Sequence, residues 1–173
     1  MSAIYRVQQF ARAAGAWVRP ARVDEDRIGR YLGPAAARLF RGMPGYDRRH
    51  ALAVLDTLER AGYDDPDLLA AALLHDAGKT LHPEGRLYLW HRVAAVLARA
   101  LWPGLLARLG REPIQGWRRP FFVQQHHAEL GAELALQAGC SARAAALIRL
   151  HEGPDGPADD RLLAALRDAD GVN

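Results

Sequence analysis

The chain has one cysteine, Cys140, and one lysine, Lys79, among its 173 residues. A single thiol excludes an internal disulfide and suits a reducing, cytoplasmic compartment. Isoleucine, threonine and phenylalanine are scarce, while alanine, leucine and arginine dominate, a bias that favours helix over sheet. No window of 18 residues is free of charge, so no transmembrane helix is expected. Met1 to Arg6 leads into a basic amphipathic segment, not into the continuous apolar core of a signal peptide. The formal charge of +3 is too small to argue for nucleic acid, and the arginines do not line up in one stripe. There is no internal repeat and no low-complexity linker. No Ser-His-Asp or Cys-His nucleophile pattern occurs; Cys140 lies beside Ser141, whose hydroxyl suits an N-cap.

What is present is helical punctuation. Residues 1–46 predict two helical segments, Ile4 to Val18 and Glu25 to Arg41, as an N-terminal extension packed on a core domain of residues 47–173. In that domain Asp47 is a plausible N-cap for a helix to Arg60, with Ala51, Val54, Leu55 and Leu58 as its apolar stripe. Gly62 ends it, and Pro66 opens a helix carrying Leu69, Ala72 and Leu73 inward. Further helices are expected at Leu87–Leu101, Phe121–Ala138, Ala142–His151 and Asp159–Ala169. The fold class is all-α, a single globular helical bundle.

The most informative stretch is Leu73-Leu74-His75-Asp76-Ala77-Gly78-Lys79. Adjacent imidazole and carboxylate groups are good divalent-metal ligands that share one backbone. The other 22 of the 23 basic residues are arginine, so lysine has been kept at one place only. A helix end would accept arginine as a cationic cap, whereas a compact ammonium suits a phosphate held as a point charge.

Helical phase selects among the remaining polar residues. His127 shares a face with Leu130, Gly131 and Leu134, whereas His126 falls with Glu129, Glu133 and Gln137. Asp170 continues the Leu163–Leu166 row, whereas Asp168 follows Arg161 and Ala164. His151 lies one turn beyond Leu147 and Ile148, and His50 one turn before Val54. His50, His75, Asp76, His127, His151 and Asp170 thus all take core-facing positions. Buried ionised carboxylates are costly unless paired or bound to metal. A nitrogen-and-oxygen donor set with open positions suits one or two catalytic divalent ions (iron, manganese, cobalt or magnesium) better than a closed structural zinc site.

The ordered set His50, His75-Asp76, His127 and a late Asp170 resembles the HD-domain metal-dependent phosphohydrolases. The local match is closest to their HDIG and HD-GYP branch. His75-Asp76-Ala77-Gly78-Lys79 looks like its HD-x-G-K motif and His127-Ala-Glu-Leu-Gly131 like its H-x-x-x-G segment. Leu150-His151-Glu152 looks like its H-H-E segment, and Ala169-Asp170 like its closing A-D. The resemblance implies that His50, His75, Asp76 and Asp170 hold one metal, that Asp76 bridges to a second, and that His127 and His151 serve the second. It further implies hydrolysis of a phosphate ester by metal-activated water, with Asp76 and Lys79 as catalytic residues. Leu150 stands where the segment usually has a first histidine, so one expected ligand of the second site is absent. There is no Gly-Tyr-Pro motif, which disfavours the cyclic-di-GMP cleavage associated with that subset.

Residues 85–119 carry seven arginines against one acid, Glu112, together with Trp90, Trp102 and Trp117. The plainest reading is a solvated helix face with tryptophans in the core. A wall gripping the phosphate of a nucleotide or other small phosphorylated metabolite competes with it; Lys79, Arg86 and His91 are then the substrate-binding candidates. A peripheral contact with an anionic membrane surface is a third reading, less favoured. A metal-bound nucleotide-sensing module with little turnover is the alternative to an enzyme.

Overall fold

The computed structural model describes residues 24–79 and 119–173, apart from 154, 155 and 158. Seven α-helices are present among the described residues: α1 Glu25–Tyr31, α2 Pro34–Gly42, α3 Gly45–Arg60, α4 Pro66–Leu74, α5 Arg119–Gln137, α6 Ala142–Leu150 and α7 Arg161–Val172. A 3-10 turn, Ala77–Lys79, follows α4, and the described residues hold no strand. The expected helices Ile4–Val18 and Leu87–Leu101 lie outside the described residues.

The all-α class holds, and α4 is its centre. Asp65 caps this helix, its Oδ1 accepting from the backbone N–H of Asp67 and of Leu68 at 3.0 Å, and Pro66 takes the first turn, where its missing N–H costs nothing. Residues 68–78 are then buried without interruption. Three inward positions were expected; instead every face of α4 after its first turn is covered, as befits a helix apolar all round. It packs against α3, α6 and α7, and against α1 and α2. Ile28, Leu32, Ala36, Ala37, Phe40 and Met43 share one hydrophobic core with Leu55, Leu73, Ile148 and Leu166.

Two expectations are corrected. The single helix Glu25 to Arg41 is two, because Pro34 cannot donate a backbone hydrogen bond and holds Gly33 extended at φ −62°, ψ 166°. Asp47 is not a cap: α3 begins at Gly45 with Pro44 at the N-cap position, and Asp47 lies in the first turn at 1% exposure. A carboxylate there still complements the helix N-terminus. Gly62 ends α3 in the left-handed region at φ +86°, where glycine carries no side-chain penalty.

Two polar links set the angles of the last helices. Ser141 caps α6 by accepting from the N–H of Ala144 at 2.9 Å, and donates to Asp67 Oδ1 of α4 at 2.6 Å. Asp160 caps α7, accepting from the N–H of Leu163, and receives both terminal nitrogens of Arg143 at 2.8 and 2.6 Å. The first link ties the start of α6 to the start of α4, and the second ties the start of α7 to the start of α6.

Candidate metal centre

Each functional side chain stands at an end or edge of a core helix. His50 comes from α3, His75 and Asp76 from the end of α4, and Lys79 from the 3-10 turn. His127 comes from α5, His151 from the C-terminal cap of α6 and Asp170 from α7. His75, Asp76, His127 and His151 are buried and Asp170 is partly buried, while His126, next to His127, and Asp168, two residues before Asp170, are exposed.

One contact between two glycines makes this convergence possible. A Cβ on Gly78 would overlap the carbonyl oxygen of His127 and lie 2.6 Å from the amide nitrogen of Gly131. On Gly131 it would meet Gly78 N at 3.2 Å and His75 O at 3.5 Å. The turn after His75-Asp76 therefore lies against the backbone of α5, which only glycine permits. The Gly78 of one segment and the Gly131 of the other are the two halves of a single packing contact, and it delivers His127 to Asp76.

Within the cluster Asp76 Oδ1 is the hub. It lies 2.6 Å from Lys79 Nζ, 3.6 Å from His75 Nε2, 3.8 Å from His127 Nε2 and 4.0 Å from His151 Nε2. Asp170 Oδ1 sits 2.7 Å from His50 Nε2 and 3.4 Å from His75 Nε2. The rings of His50 and His75, of His75 and His151, and of His151 and His127 meet edge to face, with centroids 5.1–5.3 Å apart.

Backbone carbonyls set the tautomers. His75 Nδ1 donates to Ala72 O at 2.9 Å and His151 Nδ1 to Ile148 O at 2.6 Å. Each neutral ring then turns its Nε2 lone pair inward. His75 Nε2 is fully buried and has no hydrogen-bond partner among the described residues.

Electrostatics keep both carboxylates and His151 in ligand-competent states. Burial alone would raise the Asp76 carboxyl, but Lys79, His75 and His127 outweigh it and hold the group well below the ordinary carboxylate range. Asp170 is likewise held low, burial being overcome by the hydrogen bond with His50 and by the neighbouring His75 ring. Burial and then the neighbouring His75 push His151 down to about 4, so it is neutral at physiological pH. His75 is raised: burial lowers it, and the Asp76 and Asp170 charges more than offset that.

These distances fit a metal. Donor atoms about 2.1 Å from a common ion lie roughly 3.0–3.4 Å apart at octahedral or tetrahedral angles. Most contacts in the cluster, at 3.4–4.0 Å, are longer than good hydrogen bonds and close to that spacing. Among the described residues, three overlapping groups have ligand atoms mutually within 4.8 Å: His50, His75 and Asp170; His75, Asp76 and His151; His127, His151 and Glu152.

A family model described as the HD domain matches residues 48–172. The chain belongs to the HD domain family. No curated protein and no solved structure matches it significantly. The HD domain places the chain in a metal-dependent phosphohydrolase superfamily. The matched span runs from just before His50 to just past Asp170 and so contains all six candidate ligands.

The candidate site has a buried floor (His75, Asp76, His127, His151) and a partly open rim of Lys79, His50, Asp170 and Glu152, the last two with side chains 30% and 40% exposed. Arg86 and His91, the other substrate-binding candidates, lie outside the described residues. Glu152 was not among the candidate ligands. It follows the last residue of helical phase, where periodicity no longer sorts inward from outward, yet its Oε1 reaches 3.6 Å from His127 Nε2. The described residues include no helix long and apolar enough to cross a membrane.

Proposed function

We propose that this HD-domain protein hydrolyses a phosphate ester of a nucleotide or other small phosphorylated metabolite, and that it stands nearest the HDIG-like members of its family. The observation that carries the reading is the environment of Asp76: a buried carboxylate facing three imidazole nitrogens and the ammonium of the chain's sole lysine. Burying so many polar groups costs several kcal/mol per charge unless an ion or a charged substrate completes the set.

His50, His75, Asp76 and Asp170 would hold one divalent ion, with Asp76 shared toward a second near His127 and His151. When bound, such ions supply Lewis acidity toward water and the phosphoryl oxygens. The protein's own part is preorganisation. His75 and His151 are fixed as donors through Nε2 by their carbonyl partners, and Asp76 stays anionic at neutral pH. The Lys79 ammonium, at the rim beside Asp76, neutralises charge on a phosphoryl oxygen as the transition state forms. In the reaction a water oxygen bonds to phosphorus, the ester P–O bond breaks, and the alcohol leaves with a proton.

The alternative, a nucleotide-sensing module with little turnover, draws on Leu150 standing where a further imidazole ligand would be expected. A panel of nucleotides and phosphomonoesters, assayed with added manganese, iron, cobalt or magnesium, separates the two. Phosphate or nucleoside release by the wild type, lost in Asp76→Ala, is the expected result. Tight metal-dependent nucleotide binding without turnover of any substrate would favour the sensor instead.

A further inference from the structure

We infer that Glu152 is a metal ligand, supplying from the loop after α6 the donor that Leu150 cannot, so that the second ion sits among His127, His151, Glu152 and the shared Asp76. This rests on the metal-dependent reading above and deepens it.

Three observations converge. Leu150 is committed elsewhere: its side chain packs against the hydrophobic core on the side of Gly156. Its carbonyl oxygen accepts from Arg167 Nη2 at 2.6 Å. Glu152, two residues on, has left the helix, and its Oε1 stands 3.6 Å from His127 Nε2. Finally, His127, His151 and Glu152 can each present one donor atom with all three inside 4.8 Å, and both imidazoles belong to the buried floor.

The exchange has chemical consequences. With two imidazoles and only a share of Asp76, the second position would hold an ion weakly. A carboxylate in place of an imidazole restores a full donor set and makes it richer in oxygen, which favours manganese or magnesium over softer ions. Because Glu152 is on the exposed rim, its loss leaves the core intact.

The test is metal content and affinity, read by elemental analysis and by calorimetric titration with manganese, for wild type, Glu152→Gln and Glu129→Gln. The last removes a comparable exposed carboxylate, paired with Arg149 at 2.9 Å and outside the site, and so controls for bulk charge. Two ions per wild-type chain are expected, with Glu152→Gln keeping the tighter one. The weaker one should lose roughly 10–100-fold in affinity or more, the range caused by removing even an outer partner of a ligand. Glu129→Gln should match the wild type. If Glu152→Gln binds both ions as the wild type does, or the wild type binds one ion that Glu152→Gln leaves unchanged, the inference is overturned while the hydrolase reading stands. A wild type that binds no ion overturns both.

Discussion

Replacing Gly78 with alanine puts a methyl group where the backbone of α5 already passes. The added carbon would overlap the His127 carbonyl oxygen and stand 2.9 Å from its carbon and 2.6 Å from Gly131 N. Ordinary carbon contacts begin near about 3.5 Å, so turn and helix must part by roughly 1 Å. None of the neighbouring atoms is the tip of a flexible side chain; all three are backbone. Forced overpacking of this kind costs about 1–3 kcal/mol, or roughly 2–12 °C in Tm for a chain of this length. The site is affected more sharply than the fold. Metal sites tolerate about 0.2 Å in ligand distance, and a 1 Å shift carries His127 away from Asp76. Gly131→Ala, whose nearest contacts are 3.2 and 3.4 Å, should be the milder variant in both respects. Differential scanning calorimetry gives the Tm series, and metal titration of the same samples gives the affinity series. Wild-type melting and metal affinity in Gly78→Ala would refute the claim that this glycine pair positions the centre.

Other consequences follow from the same geometry. Lys79→Met should lower kcat by about 10²–10³-fold, the usual effect of losing one transition-state charge partner, while metal content measured on the same sample stays unchanged. In the metal-free protein, NMR titration should find His151 protonating near 4 and His75 protonating above its ordinary value. For His151 the folded pKa is below the unfolded one, so its contribution to stability is present above about pH 6.5 and is lost as pH falls toward the folded value. A neutral-range value for His151 would contradict the burial argument. Asp160→Ala removes the α7 cap together with the Arg143 pair and should cost about 1 kcal/mol, seen as a Tm drop of roughly 2–4 °C without loss of metal.

Much of this architecture was legible because helical phase and helix punctuation are local properties. Phase alone separated His127 from His126 and Asp170 from Asp168, since a one-residue step turns a side chain by about 100° around the helix and a two-residue step by about 200°. Ser141 and Pro66 stood out for the same reason: caps are chemistry within one turn. The break at Gly33-Pro34 was equally local, but the apolar row on either side of it masked the proline. Tertiary effects were harder to see. The full burial of α4 depends on how many helices surround it, and Asp47 moved into the first turn because Pro44-Gly45 starts α3 earlier than an acidic cap would. Glu152 lay beyond the reach of periodicity, past the last residue of α6. The close approach of Gly78 to α5 is visible in sequence only as two glycines in separate segments; their being one contact is a property of the fold.

The account depends most directly on whether His50, His75, Asp76, His127, His151 and Asp170 share bound metal. Elemental analysis of the purified chain, after loading with manganese, iron, cobalt or magnesium and removal of excess, measures this without reference to any substrate. One or two ions per wild-type chain, with content collapsing in Asp76→Ala while the variant remains folded by circular dichroism, is the predicted result. No retained ion under any loading condition, or full retention in Asp76→Ala, would contradict it.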